Sequence, residues 1–110
     1  MLDLRLYMAQ RLSAMVMIPL VLGHIAVMAV AIHGGLTTAE ILSRTHGSVF
    51  WTGYYGLFVV AVTVHAAIGL SVIAHEWLRL PGLARWALGW TVFAVLLTMG
   101  GRAVLAVTWS

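Results

Sequence analysis

The sequence has no cysteine and no lysine, and holds only three acidic residues and two prolines in 110 positions. Zero cysteines exclude a disulfide framework, a thiolate-held iron–sulfur cluster and a Cys-x-x-Cys-His haem attachment within the chain. Any metal here must lean on histidine. The six basic residues are all arginine and stand apart from one another, so the net charge of +3 marks no basic patch and no nucleic-acid partner. No glycine-rich nucleotide fingerprint sits between a strand and a helix, so this chain is not expected to hold a flavin and an organic-acid substrate together.

What is present is apolar. Hydrophobic residues make up 63% of the chain and charged residues 8%, far outside the range of a soluble domain. Three runs, 12–39, 45–75 and 86–101, carry no Asp, Glu, Lys or Arg. At 1.5 Å per residue a membrane span needs roughly 20 residues, so the first two runs suffice and the third does when extended past Arg102 to about Thr108. The expected fold is all-α, a single membrane domain over residues 1–110 with three transmembrane helices near 12–33, 49–75 and 86–108. The N-terminus lacks a short apolar region ending in an Ala-x-Ala-like site, so it is expected to be retained.

Arg5, Arg11, Arg79 and Arg85 fall on one side of this layout, Arg44 and Arg102 on the other, which predicts a cytoplasmic N-terminus. Tyr7, Trp77, Trp86 and Trp90 mark one interface, and Trp51, Tyr54, Tyr55 and Trp109 the other. In the first loop, "HGGLTTAEILSRTHGS", the Gly pair ends a helix and Thr37 or Thr38 caps a short surface helix with Glu40 behind it. "RLPGLAR" reads as a Pro-Gly turn. Pro19 should kink or loosen the first span, where neighbouring helices can satisfy the freed carbonyl.

A histidine in hydrocarbon needs a partner, and an ionisable residue inside a span is by default a functional candidate. Counted from Arg11, His24 lies roughly 20 Å along the first span, and counted back from Glu76, His65 lies roughly 16 Å along the second, which predicts similar depths. Haem iron, copper or zinc would suit buried imidazole, and the lack of an adjacent carboxylate or third histidine disfavours the last two. Gly69, one turn from His65, and Gly23, beside His24, would let a flat macrocycle approach the backbone. The competing reading is ordinary small-residue helix packing, with His65 hydrogen-bonded to a neighbouring helix. His33 and His46 fall where a solvated histidine costs little. His75, Glu76 and Trp77 end the second span at the inner surface, fanned over a wide arc. Arg11 and Ser13 open the first span, by default a headgroup anchor and a cap. With an acid and Trp77 they would otherwise suit a quinone headgroup, which needs hydrogen-bond donors and a proton route.

With "QRLSA" opening the first span and "HAAIGLSVIAHEW" ending the second, the chain resembles the small membrane-anchor cytochrome b subunits of succinate dehydrogenase and fumarate reductase, respiratory complex II. In that family an Arg-x-Ser element borders the quinone site, a His-x3-Gly element supplies an axial haem b ligand, and an acid–aromatic pair follows. The resemblance implies a haem iron ligand at His65, with Gly69 beside it. His24 would be either the second ligand of the same iron or the ligand of a second haem. It places quinone contacts at Arg11, Ser13, Glu76 and Trp77, with His75 as a possible substitute in proton transfer, since Trp77 stands where Tyr is usual and cannot relay a proton. The family divides Arg-x-Ser and the acid–aromatic pair between two anchor chains, whereas this chain carries both.

The implied protein is an inner-membrane anchor that does not itself act on the dicarboxylate. It would dock a flavoprotein and an iron–sulfur subunit, pair with a second anchor chain or copy to complete a haem-binding bundle, and exchange electrons with ubiquinone or menaquinone, surrounded by lipid. The alternatives are a haem b anchor of another membrane dehydrogenase, of hydrogenase or formate dehydrogenase type, and a haem-free structural or assembly protein.

Overall fold

The structure is a computed structural model that describes residues 4–109. It contains four helices: α1 (Leu4–Gly34), α2 (Thr38–Thr45), α3 (Val49–Leu78) and α4 (Gly82–Thr108). α1, α3 and α4 are each long and apolar enough to cross a membrane. The long dimension of the molecule, 48 Å, matches a bilayer with its headgroup regions, about 40–45 Å.

Charge did not set the start of α1. The helix begins eight residues before the charge-free run, because arginines at a membrane edge do not interrupt backbone hydrogen bonding. Instead Arg11 reaches back one turn, where its guanidinium donates to the Tyr7 hydroxyl at 3.0 Å. The side chain thus snorkels toward the interface while its backbone sits deeper. α1 runs unbroken through Pro19. It ends at Gly34, and Gly35 takes the positive φ (104°) that favours glycine. Thr37 then caps α2, its hydroxyl accepting from the Glu40 amide at 3.1 Å, and Arg44 pairs with Glu40 one turn away at 2.8 Å. Ser48 caps α3 in the same way through the Trp51 amide. At the other end Arg79 adopts a left-handed conformation to stop α3 before Pro81 caps α4.

α3 is the central helix, packing along both α4 and α1. Its buried positions are small, Ala61, Thr63, Ala67 and Ala74, which lets its neighbours approach closely. Gly100 shows how closely: a Cβ there would come within 2.6 Å of Val59 Cγ1. Large apolar side chains such as Ile18, Leu22, Leu57 and Met99 point outward instead. In lipid such an inside-out distribution carries no penalty, because helix association rests on packing and hydrogen bonds.

One end of the bundle is clasped by polar contacts. The Thr45 hydroxyl donates to the Val107 carbonyl at 2.6 Å, the Gly47 amide donates to the Thr108 carbonyl, and the Trp109 indole donates to the Thr52 hydroxyl at 2.8 Å. These bonds hold α2, the start of α3 and the end of α4 together. The opposite end, where α3 turns into α4, is closed by the Arg79 and Leu80 amides donating to the Ala74 carbonyl and by a long contact in which the His75 ring meets the Leu80 carbonyl at 3.3 Å.

Candidate functional site

The register between α1 and α3 fixes which polar groups meet. Ser13 Oγ lies 3.5 Å from His65 Nδ1. One turn nearer the N-terminus, Gln10 lies over Gly69, where a Cβ would meet the Gln10 amide nitrogen at 3.3 Å. Further along α1, the Tyr54 hydroxyl donates to the Leu20 carbonyl at 2.6 Å, and His24 packs edge-on against Tyr55 and Phe58, ring centroids 5.8 and 5.5 Å apart. The two helices are antiparallel, with Ser13 opposite His65 and His24 opposite the Tyr55–Phe58 turn.

That register overturns the expected similar depth of His24 and His65. Ser13 marks the level of His65 on α1, and His24 stands eleven residues beyond it, roughly 16 Å along the axis. Two imidazoles so far apart in one chain cannot ligate the same iron from opposite faces. The expectation failed because it took Arg11 as the membrane surface, whereas the register puts the Arg11 backbone about level with Ala67, and its guanidinium reaches back one turn to Tyr7.

The quinone candidates separate for the same reason. Arg11, two residues before Ser13, is level with Ala67, nine residues from Glu76 on α3, so Arg11 and Glu76 differ in depth by roughly 14 Å. Arg11, Glu76 and Trp77 are all exposed, whereas Ser13 is buried at 7% exposure. His75 turns toward the loop carbonyl of Leu80, so the terminal triplet fans apart as its helical spacing dictates. Within the chain Ser13 and His65 are brought together; Arg11, Glu76 and Trp77 are not.

The glycines divide likewise. Gly69 gives room to Gln10, and a Cβ on Gly23 would overlap the Tyr54 hydroxyl, so both permit close contact between α1 and α3. Gln10 escaped the sequence reading although it stands within "QRLSA". Its Oε1 is buried without a hydrogen-bond partner, as is Nδ1 of His24. A long polar side chain before an arginine looks like interface anchoring, and only the register reveals that it enters the seam.

Two cavities flank α3. One, of about 280 Å³, lies between the first turns of α1 and the start of α4, with Ser71, Arg85, Trp86 and Trp90 on its wall. The other, of about 560 Å³, lies under α2 and includes His24, Tyr55, Phe58 and Arg44. Among the described residues no three His, Asp or Glu side chains cluster to hold a bare metal ion. A single imidazole of this chain, that of His65 or of His24, would be enough to hold haem iron, which needs no such cluster.

The fold and site therefore define a multi-pass helical membrane chain in which a half-buried imidazole meets a buried hydroxyl in one seam. Residues 2–101 match the model of the succinate dehydrogenase/fumarate reductase transmembrane subunit family, and the chain belongs to that family. It is thus a membrane subunit of a complex with other subunits. No curated protein and no solved structure matches the chain.

Proposed function

We propose that the chain is the haem b-containing membrane anchor of a succinate:quinone oxidoreductase or fumarate reductase, passing electrons between a partner iron–sulfur subunit and quinone in the inner membrane. The observation that supports this reading is the placement of His65, half-buried in the α1–α3 seam of a family transmembrane subunit with Ser13 against its Nδ1. The donor set fits a haem: Ser13 stands against Nδ1 of His65, so Nε2 is the nitrogen that would hold the iron, while the space over Gly69 is taken by the Gln10 side chain. When bound, the haem supplies a reversible one-electron store.

The quinone contacts follow from the exposure of Arg11, Glu76 and Trp77. Their separation within one chain suits a site at the surface of the bundle, completed by a second anchor chain or copy that supplies the missing half. Arg11 places a fixed cation where reduction puts negative charge on a quinone oxygen, and such preorganised charge is worth most where water is excluded. Trp77 can donate a hydrogen bond but not relay a proton, so protons reach the quinone by way of Glu76 or His75. The flavoprotein and iron–sulfur subunits dock on the cytoplasmic face, where the arginine balance places the N-terminus. Substrate oxidation takes place on those partners.

His24 serves a second group in this reading, because its depth removes it from the iron of His65. The cavity beside it has room for a cofactor or a lipid-soluble ring.

The test is to purify the complex with its partner chains and compare quinone reduction with reduction of an artificial dye by the soluble subunits. Arg11→Ala is expected to lower quinone reduction by at least tenfold while dye reduction persists. Equal loss of both activities would assign Arg11 to assembly.

A further inference from the structure

Ser13 is the group whose position the quinone reading does not use. It is buried at 7% exposure in the seam, whereas Arg11, two residues earlier, is exposed. Its hydroxyl donates to the Gln10 carbonyl one turn back at 2.9 Å, and the same oxygen lies 3.5 Å from His65 Nδ1. A serine hydroxyl has a single proton and two acceptor lone pairs. The shorter contact takes the proton, so the oxygen can meet the imidazole only as an acceptor, and Nδ1 must carry the hydrogen. A neutral imidazole protonated on Nδ1 has its lone pair on Nε2.

We infer that Ser13 is a positioning residue for His65: by accepting from Nδ1–H it fixes the tautomer and the ring orientation that present Nε2 to the haem iron. The inference rests on the haem reading of His65 and deepens it. Metal-bound histidines need such a partner, commonly a carboxylate, a backbone carbonyl or water. Among the described residues no carboxylate is within reach. Glu76 is eleven residues along the same helix, roughly 16 Å away, and Glu40 is paired with Arg44 on α2. The Gln10 side-chain oxygen has no donor at all, so it does not hold His65 either. Gln10 acts through its backbone: its carbonyl binds the Ser13 proton and turns the serine oxygen's lone pairs toward the ring.

The bond also has an electronic consequence. Donation from Nδ1–H raises the basicity of Nε2 and favours ferric iron. Removing the acceptor makes the haem easier to reduce and weakens its retention, in the range of 10- to 100-fold for partners of this kind.

The experiment uses the assembled complex with the full chain carrying Ser13→Ala, Ser13→Thr or Ser13→Cys, read by potentiometric titration of the haem absorbance and by low-temperature electron paramagnetic resonance of the ferric form. Ser13→Ala is expected to keep a haem, raise its midpoint potential, shift the low-spin g-values and release haem at least tenfold more readily. Ser13→Thr keeps the hydroxyl and is expected to retain the parental values. An unshifted potential and spectrum in Ser13→Ala, or an equal shift in Ser13→Thr, overturns the inference while leaving His65 as ligand. Loss of quinone reduction in Ser13→Ala with unchanged haem properties likewise overturns it and returns Ser13 to the quinone site. If Ser13→Ala does not assemble, Ser13→Cys, a weaker acceptor of similar size, decides: a shift in the same direction supports the inference and none overturns it. A parental complex without haem sinks both this inference and the proposed function.

Discussion

Gly23 and Tyr54 form a pair whose coupling can be worked out atom by atom. The Tyr54 hydroxyl reaches the Leu20 carbonyl at 2.6 Å only because Gly23, on the next turn of α1, has no side chain; a Cβ there would overlap the hydroxyl oxygen. Tyr54→Phe removes one interhelical hydrogen bond, worth about 0.6 kcal/mol on average in a membrane bundle and about 1.7 at most. Gly23→Ala displaces the same hydroxyl and adds an overpacking cost of about 1–3 kcal/mol. Better helix propensity returns up to about 1 kcal/mol, for a net loss of about 1–3. In the double variant the hydroxyl is absent, and the nearest remaining ring atom, Cζ, lies 3.2 Å from the new methyl, a contact that small shifts can relieve. The double variant should therefore be no less stable than Gly23→Ala alone, giving a coupling at least as large as the lost hydrogen bond, about 0.6–1.7 kcal/mol, above the about 0.5 kcal/mol scatter of independent sites. Unfolding of the four proteins in mixed detergent micelles, followed by circular dichroism against denaturing detergent fraction, measures it. Strict additivity would refute the reasoning. So would loss of haem in Gly23→Ala with stability unchanged, which would make Gly23 a porphyrin cradle instead of a packing position.

Other expectations follow from the same packing. Gly100→Ala drives a methyl into Val59 and should destabilise the α3–α4 seam by about 1–3 kcal/mol, whereas Gly101→Ala, which meets nothing within 4 Å, should be neutral or slightly stabilising in the same detergent titration. His24→Ala should leave the absorbance and potential of the haem at His65 unchanged, because the two rings differ in depth by roughly 16 Å. Haem counting by pyridine haemochrome in that variant shows whether His24 holds a haem of its own: a content halved against the parent assigns it one.

The spans and the short capped helix were legible in the sequence, for physical reasons that act locally, whereas the α3–α4 connection turns on the left-handed Arg79 and not on a Pro-Gly pair, since Pro81 caps α4 and Gly82 begins it. A run without charge is long enough to cross hydrocarbon or it is not, and Thr37 can accept from the Glu40 amide whatever surrounds it. Depth was not legible. Residues 13 and 65 face each other because Gly23, Gly69 and the small residues of α3 lock one sliding position of two antiparallel helices. No single residue announces that position. Arg11 misled for a related reason: a long cation reports where its guanidinium ends, not where its backbone lies. The pairing of Ser13 with His65 and the entry of Gln10 into the seam are consequences of register. His65 and Gly69 stand out in the sequence as a candidate site, but the serine that faces the imidazole does not.

The reduced-minus-oxidised absorption spectrum of the purified complex, parent against His65→Ala, tests whether iron in a porphyrin occupies this imidazole. A low-spin b-type Soret and α band in the parent that is lost or converted to high spin in the variant is the expected result. An identical spectrum in both, or no haem absorption in the parent, would leave His65 as a packing residue and the chain as a tether without an electron carrier.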